Sequence, residues 1–392
     1  MDKIYYVGFF GDALAYEENR HLAPSGVNKM DYIARALGSE GMKIKIISTA
    51  WLKYKKNLGL KIIRQRKFKV TDNVDCVLPY SITLPLKIST VLSMFLAKVW
   101  LILYFLINIG RNDIVIVYHS TFYLNTLYWL KKIINFKLIL EVEELYSEVF
   151  SMSQKWKRRE QRLIDNADSY IFPNDLMYDY LQIKNKPYLV VYGSYLADNY
   201  EMKPVKFDDD KIHLVYAGVI DKLKLGAFNA VYAAKYLPDN YVLHILGFGT
   251  EADVNDLKKE IQNINRYSSC KVIYEGKKTG EVYKNFMNGC QIGLSTQKNE
   301  GEYLKLTFPS KVLGYLTIGL NVVSAKIEGV MVSDIGDIVA YYNEDSPQAI
   351  AEAIKNIKIL SSDDIKGRIA ELDAKFKREI KEVLNNSFYK SE

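Results

Sequence analysis

The feature that most constrains this chain is a recurrence of short, continuously apolar strands separated by amphipathic helices. A run such as Ile114-Val-Ile-Val-Tyr118 shows no polar alternation, so both of its faces must be covered, as in a parallel sheet with helices on either side. Ile4 to Phe10 reads as such a strand. Val27 to Leu37 reads as a helix with apolar Val27, Met30, Ile33, Ala34 and Leu37, and Lys43 to Ser48 as the next strand, with Gly38 and Gly41 punctuating the turn. Further units are predicted at 114–118, 124–134, 137–142, 156–166 and 169–172. The stretch 196–211, with Pro204 and Asp208-Asp-Asp210, lacks periodicity and reads as a linker. The pattern then restarts with strands at 212–217, 241–246 and 271–274 and helices at 227–236 and 252–264. Two successive doubly wound α/β units follow from that alternation.

A chain of 392 residues holds ample material for two cores. Its three cysteines, Cys76, Cys270 and Cys290, are widely spaced and stand apart from histidines, so they read as reduced core thiols of a cytosolic protein. The N-terminus runs straight into a strand, without the charged-then-apolar leader of a secreted protein. The net charge of +7 divides unevenly, about +8 over residues 1–200 and about −1 over the rest. Lys53, Lys55, Lys56, Lys61, Arg64, Arg66, Lys67 and Lys69 are interleaved with Trp51, Tyr54, Leu58, Leu60, Ile62, Ile63 and Phe68. Such a mixture suits an anionic membrane surface, or it is a solvated hairpin; no nucleic-acid-binding motif accompanies it. The apolar run 91–109 is nearly long enough to span a bilayer. Lys98 near its middle and the strand that follows favour a helix buried against a sheet.

In open parallel sheets, ligands lie beyond the carboxyl ends of the strands. A long loop, Gly8-Phe-Phe-Gly-Asp12 through Ala23-Pro-Ser-Gly-Val-Asn28, delivers Gly26 to a helix start; its length, and the missing acidic residue after Ile47-Ser-Thr-Ala50, disfavour a nicotinamide-binding turn. His119 directly follows a buried strand, and Glu141-Val-Glu-Glu144 places several carboxylates after another, which is costly unless they are solvated, paired or used. In the second half, Leu306-Thr-Phe-Pro-Ser-Lys-Val-Leu-Gly314 joins a helix start to a cation: Pro309 suits the first turn, Ser310 a cap, and Lys311 adds charge where free backbone N–H groups already attract phosphate.

This ordered set resembles GT-B glycosyltransferases of the group-1, family 4-like lineage, in a Pro-Ser-Lys variant. The resemblance implies two Rossmann-like doubly wound parallel-sheet domains facing each other across a cleft: residues 1–205 on the acceptor side, with a helix over 365–392 crossing back, and 206–364 binding the nucleotide sugar. It implies that Gly26 approaches the donor phosphate and Asn28 the acceptor, that His119 lies near the transferring sugar, and that Glu143 or Glu144 serves as base or acceptor anchor. It further implies donor contacts at Gly218, Lys222, Lys224, Gly276, Ser310 and Lys311. Two departures stand out. Val219 occupies the place of a diphosphate-gripping arginine, with Lys222 and Lys224 nearby as substitutes. Leu306 and Gly314 stand where the lineage has two glutamates, leaving Glu300 and Glu302 just upstream as replacements. The resemblance implies a cytoplasmic enzyme, peripheral at the inner membrane face. It would move a sugar from a nucleotide diphosphate to a glycan or lipid-linked glycan in surface polysaccharide synthesis, with retention, and without metal or other cofactor. A catalytically silent GT-B subunit and a sugar-nucleotide epimerase are the competing readings, and the oligomeric state is left open.

Overall fold

The computed structural model describes residues 3–55, 59–183, 185–196, 203–298 and 306–388. The chain divides into two compact units: Met1–Pro173, Met177–Ser194 and Lys375–Glu392 form the first, Asn174–Leu176 and Tyr195–Ala374 the second. The expected boundary at 205 and the crossing back from 365 thus fall at 194 and 375.

Ten strands are described in the first unit: β1 (Ile4–Gly8), β2 (Ile44–Ser48), β3 (Lys61–Ile63), β4 (Arg66–Thr71), β5 (Val74–Leu78), β6 (Ser81–Thr83), β7 (Ile114–Tyr118), β8 (Lys137–Glu141), β9 (Ser169–Phe172) and β10 (Tyr188–Val190). Eight form one sheet in the order β10-β9-β8-β7-β1-β2-β5-β4, parallel except for the edge strand β4, which runs against β5. The chain winds outward in both directions from β1 and β7, so the topological switch lies between these two strands. Their residues are buried on both faces, which is why the sequence shows runs rather than alternation.

Helix Pro24–Ser39 connects β1 to β2. Helices Ser89–Asn108, Leu124–Ile134 and Gln154–Asp165 follow one another as packed neighbours, the layer that right-handed crossovers toward β9 require. The last part of the chain packs on the first unit through Phe376, whose ring lies 5.2 Å from that of Tyr32, and through the Lys381–Glu40 ion pair.

Two expectations change here. Helix Ser89–Asn108 is not a buried helix: it buries the narrow stripe Ser89, Ser93, Ala97, Leu101 and Phe105, and only 22% of its most apolar 18-residue window is covered. The basic run is not one hairpin either, because β3 pairs with β6 while β4 pairs with β5. Trp51 is buried, stacked on His21 at 4.3 Å, and Arg66 makes a two-pronged contact with Asp12 at 2.5 and 2.7 Å.

The described strands of the second unit are β11 (Ile212–Ile220), β12 (Tyr241–Gly249), β13 (Lys271–Gly276), β14 (Ile292–Ser295), β15 (Asn321–Ala325) and β16 (Val339–Tyr342). They form an all-parallel sheet in the order β13-β12-β11-β14-β15-β16. Its switch point lies between β11 and β14, which pair only at Leu214–Ile292 and Val215–Gly293. Beyond that point Tyr315, from helix Ser310–Ile318, takes the place of the ladder: its hydroxyl accepts from the Ala217 amide at 2.9 Å and donates to the Leu294 carbonyl at 3.3 Å. Gly293 makes room for it, since a Cβ there would meet the Tyr315 ring at 2.3 Å. Tyr315→Phe should therefore cost about 1–3 kcal/mol of stability, because it leaves a buried amide unpaired, and should lower the urea midpoint. An unchanged midpoint would show that the hydroxyl is not holding the strands.

Candidate functional site

In the second unit the candidate phosphate seat is built around the start of helix Ser310–Ile318. Pro309, with extended backbone at ψ 115, is the cap residue, and no side chain caps the helix. Ser310 is therefore not the expected cap but the first helical residue, exposed to solvent. Lys311 precedes Tyr315 by four residues and so shares its face. The lysine side chain crosses the backbone of Gly218: a Cβ at Gly218 would stand 2.3 Å from Lys311 Cε and 2.6 Å from Nζ. The ammonium also lies over the Tyr216 ring, 5.2 Å from its centre. Burial lowers the Lys311 pKa, the nearby Lys224 charge lowers it further, and Asp221 opposes both. Among the described residues Lys311 has no carboxylate in ion-pair contact. A positive charge held partly out of water without a direct counterion is a good place for an anion.

The two lysines expected to replace an arginine behave differently. The Lys224 amide donates to Asp221 at 2.6 Å, and its charge reaches Lys311. Lys222 instead pairs with Asp256 at 2.5 Å, with both side chains exposed, beside helix Glu251–Ile264. Val219, in the arginine's place, is 49% exposed. Gly276 ends β13 with φ +71, a left-handed value that favours glycine, after a register shift between β12 and β13. Beside that shift, Asp209 contacts His213 Nε2 at 2.7 Å, His213 Nδ1 contacts His244 Nε2 at 2.9 Å, and His244 Nδ1 contacts Glu275 at 3.0 Å. Phe207 stacks on His213 at 3.7 Å. Leu306 is buried and Gly314 is open, so neither supplies a carboxylate. Glu300 and Glu302 lie outside the described residues.

In the first unit the loops at the β1/β7 switch point bring together groups that the sequence places far apart. Gly26 is buried in the first turn of its helix beneath Tyr118, whose hydroxyl would stand 3.0 Å from a Cβ added there. Asn28 is exposed on the same helix, and the next residue, buried Lys29, forms an ion pair with Glu143. Glu141 ends β8 fully buried and accepts from the Tyr6 hydroxyl, while its Oε1 has no partner among the described residues. Burial, followed by the Glu143 charge, pushes the Glu141 pKa up to about 8, against the opposing pull of Lys29 and the Tyr6 hydrogen bond.

His119 is also fully buried. Its Nδ1 lies 3.2 Å from the Glu144 carbonyl and so braces the 144–147 turn from beneath, while its buried Nε2, 3.5 Å from Glu160, makes no hydrogen bond among the described residues. Burial lowers its pKa, opposed by Glu160 and by the Glu144 backbone contact. Glu160 completes the brace by accepting from the Tyr146 and Ser147 amides, each at 2.9 Å. Glu144 is exposed and Glu143 half-buried. Tyr6, Tyr118, Tyr315 and Glu160 were not singled out from the sequence. Glu160 sits in the basic run Lys157-Arg-Arg-Glu-Gln-Arg162, where any carboxylate looks solvated.

No protein-family model matches the sequence, and no curated protein sequence matches it. Solved structures do resemble it. Sucrose-phosphate synthase from Thermosynechococcus elongatus superposes with a TM-score of 0.69 at 14% identity, covering 100% of both chains. A trehalose-6-phosphate structure from E. coli, bound with UDP-2-fluoro glucose, gives 0.64 at 10% identity over 98% of this chain and 99% of the other. The lipopolysaccharide outer core galactosyltransferase WaaB gives 0.59 at 14% identity over 98% and 99%. The fold class is therefore GT-B, with two parallel-sheet α/β units in one chain.

Glu141 makes stability depend on pH with a definite sign. A carboxyl whose folded pKa is raised from 4.5 to about 8 binds its proton more tightly in the folded state, so stability falls as pH rises through that window. Glu141→Gln should flatten a slope of up to about 1.4 kcal/mol per pH unit in urea unfolding between about pH 5 and 8. An equal slope in wild type and variant would place the titration elsewhere.

Proposed function

We propose that this protein is a nucleotide-sugar glycosyltransferase. Its donor groups are Lys311, Lys224, Gly218, Gly26 and the N–H groups at Ser310, with Gly276 on the base side; its acceptor-side groups are Glu143, Glu144 and Asn28. The observation that carries this reading is Lys311, a half-buried cation without an ion-pair partner among the described residues, laid across Gly218 at an uncapped helix start. A nucleoside diphosphate developing negative charge would be met there by the ammonium and the helix N-terminus, so in this proposal no metal is needed. Support also comes from structural relatives described as bound with UDP-2-fluoro glucose or as a galactosyltransferase. Glu143 or Glu144 takes the acceptor proton or anchors its hydroxyl, and His119 with Glu160 holds the turn that presents them. Lys222, paired with Asp256, contributes little. The acceptor in this reading is a lipid-linked glycan of a surface polysaccharide, glycosylated with retention at the cytoplasmic membrane face.

A second reading, a GT-B subunit without chemistry, is favoured by one observation: Val219, Leu306 and Gly314 carry no charge where the resemblance calls for it. Calorimetry with UDP, GDP and ADP separates the two. Lys311→Ala should weaken binding of the preferred diphosphate by about 1.5–3 kcal/mol, and Lys222→Ala should leave it nearly unchanged. Unaltered affinity in Lys311→Ala would remove the phosphate assignment. In an assay of nucleoside diphosphate release with extracted glycolipid acceptors, the double change Glu143→Gln, Glu144→Gln should lower turnover roughly 10²–10⁴-fold while sparing nucleotide binding. A wild type that binds no nucleotide and releases none would give the case to the silent subunit.

A further inference from the structure

Helix Ser89–Asn108 presents a problem that the transfer chemistry does not solve. Its outward face carries Phe95, Leu103 and Ile107 at 62%, 53% and 78% exposure. The neighbouring helix Leu124–Ile134 adds exposed Trp129 and Ile133 on the first unit's surface, and the β3–β6 ribbon, packed against the same long helix, adds exposed Ile62. Soluble monomers rarely leave so much contiguous apolar surface uncovered.

In the structure the helix is tied to the unit along its length. Ser93 Oγ and Thr90 Oγ1 accept from the amides of Leu52 and Tyr54 at 2.9 and 2.7 Å. Trp100 donates to Gln65 at 3.1 Å, the Asn108 carbonyl accepts from Tyr5 at 2.9 Å, and Lys98 lies over the Phe122 ring. These contacts are distributed along its length of about 30 Å and hold one side on the fold.

The surroundings are predominantly basic. Helix Gln154–Asp165, packed against Leu124–Ile134, contains Lys155, Lys157, Arg158, Arg159 and Arg162 against one glutamate and one aspartate, with Lys155 and Arg158 exposed. On the ribbon side, Lys61 and Arg64 are exposed. An apolar ridge with an exposed tryptophan and basic borders matches the layered chemistry of an anionic bilayer surface, acyl chains beneath charged headgroups.

We infer that the outward face of Ser89–Asn108, with Trp129, Ile133 and the basic helix Gln154–Asp165, is a monotopic docking surface for an anionic lipid bilayer. The protein lies on the membrane through this face, with the long helix half-embedded along the interface. The basic run around Lys61 is a border of this surface and not its centre.

The test uses the full chain without nucleotide or acceptor, so its outcome is independent of the transferase reading. Flotation should show binding to phosphatidylglycerol–phosphatidylcholine vesicles, weakened by salt, with much less binding to phosphatidylcholine alone. The pair Phe95→Asp, Leu103→Asp should lower vesicle affinity more than about tenfold, as should Arg158→Glu, Arg159→Glu, while Leu223→Asp in the second unit should have no effect. Brominated acyl chains should quench a fluorescence component that is absent in Trp129→Phe. Thermal melts of all variants should match the wild type, because the changed residues are exposed or, for Arg159, half-buried on the helix surface. Unchanged binding in both paired variants would overturn the inference. So would a wild type that ignores vesicles yet forms dimers that the Phe95/Leu103 pair dissociates, which would make the face a contact between copies of this chain.

Discussion

The second unit depends on one side chain inserted where two strands part. At the β11/β14 switch point the ladder stops, and the freed Ala217 amide and Leu294 carbonyl both find the Tyr315 hydroxyl. That fixes the rotation of helix Ser310–Ile318 about its axis, and the helical period then determines that Lys311, four residues earlier, lies across Gly218. Gly293 and Gly218 are small for complementary reasons, one to admit the tyrosine and the other to let the lysine cross. The phosphate seat is thus a by-product of how an open parallel sheet is closed at its weakest point.

The first unit solves a different problem, the housing of several carboxylates where a sheet ends. Glu143 is neutralised by Lys29, Glu160 by backbone amides, and Glu141 by a raised pKa that keeps it protonated over much of the neutral range. Glu144 and Glu148 are exposed. The sequence Glu141-Val-Glu-Glu144 looks uniform, but three environments make its carboxylates chemically distinct.

The alternation of apolar strands and amphipathic helices was legible residue by residue: the strands at 114–118 and 169–172 and the helix at 124–134 have the same bounds in sequence and structure. This follows because fully buried strands leave an unmistakable composition. The strands at 212–220 and 241–249 run three residues past their apolar stretches, because their ends pair through glycines that carry no hydrophobic signal. Helix Ser89–Asn108 was misread as buried because composition reports how apolar a residue is and not which way it faces. The candidate site was legible as a set of loops and one lysine. Tyr315, Tyr118 and Glu160 were not, since their roles depend on partners between 13 and 98 residues away in the chain.

The chain of contacts from Asp209 through His213 and His244 to Glu275 runs through two histidine rings. Asp209 is held ionised by its bond to His213, and burial makes His244 a poor host for charge. A histidine can donate from one ring nitrogen and accept at the other, which lets two rings carry the chain from one carboxyl group to the next. The second unit thus buries a polar relay inside an aromatic stack, with Phe207 covering the ring of His213 and with Asp209 and Glu275 closing its two ends.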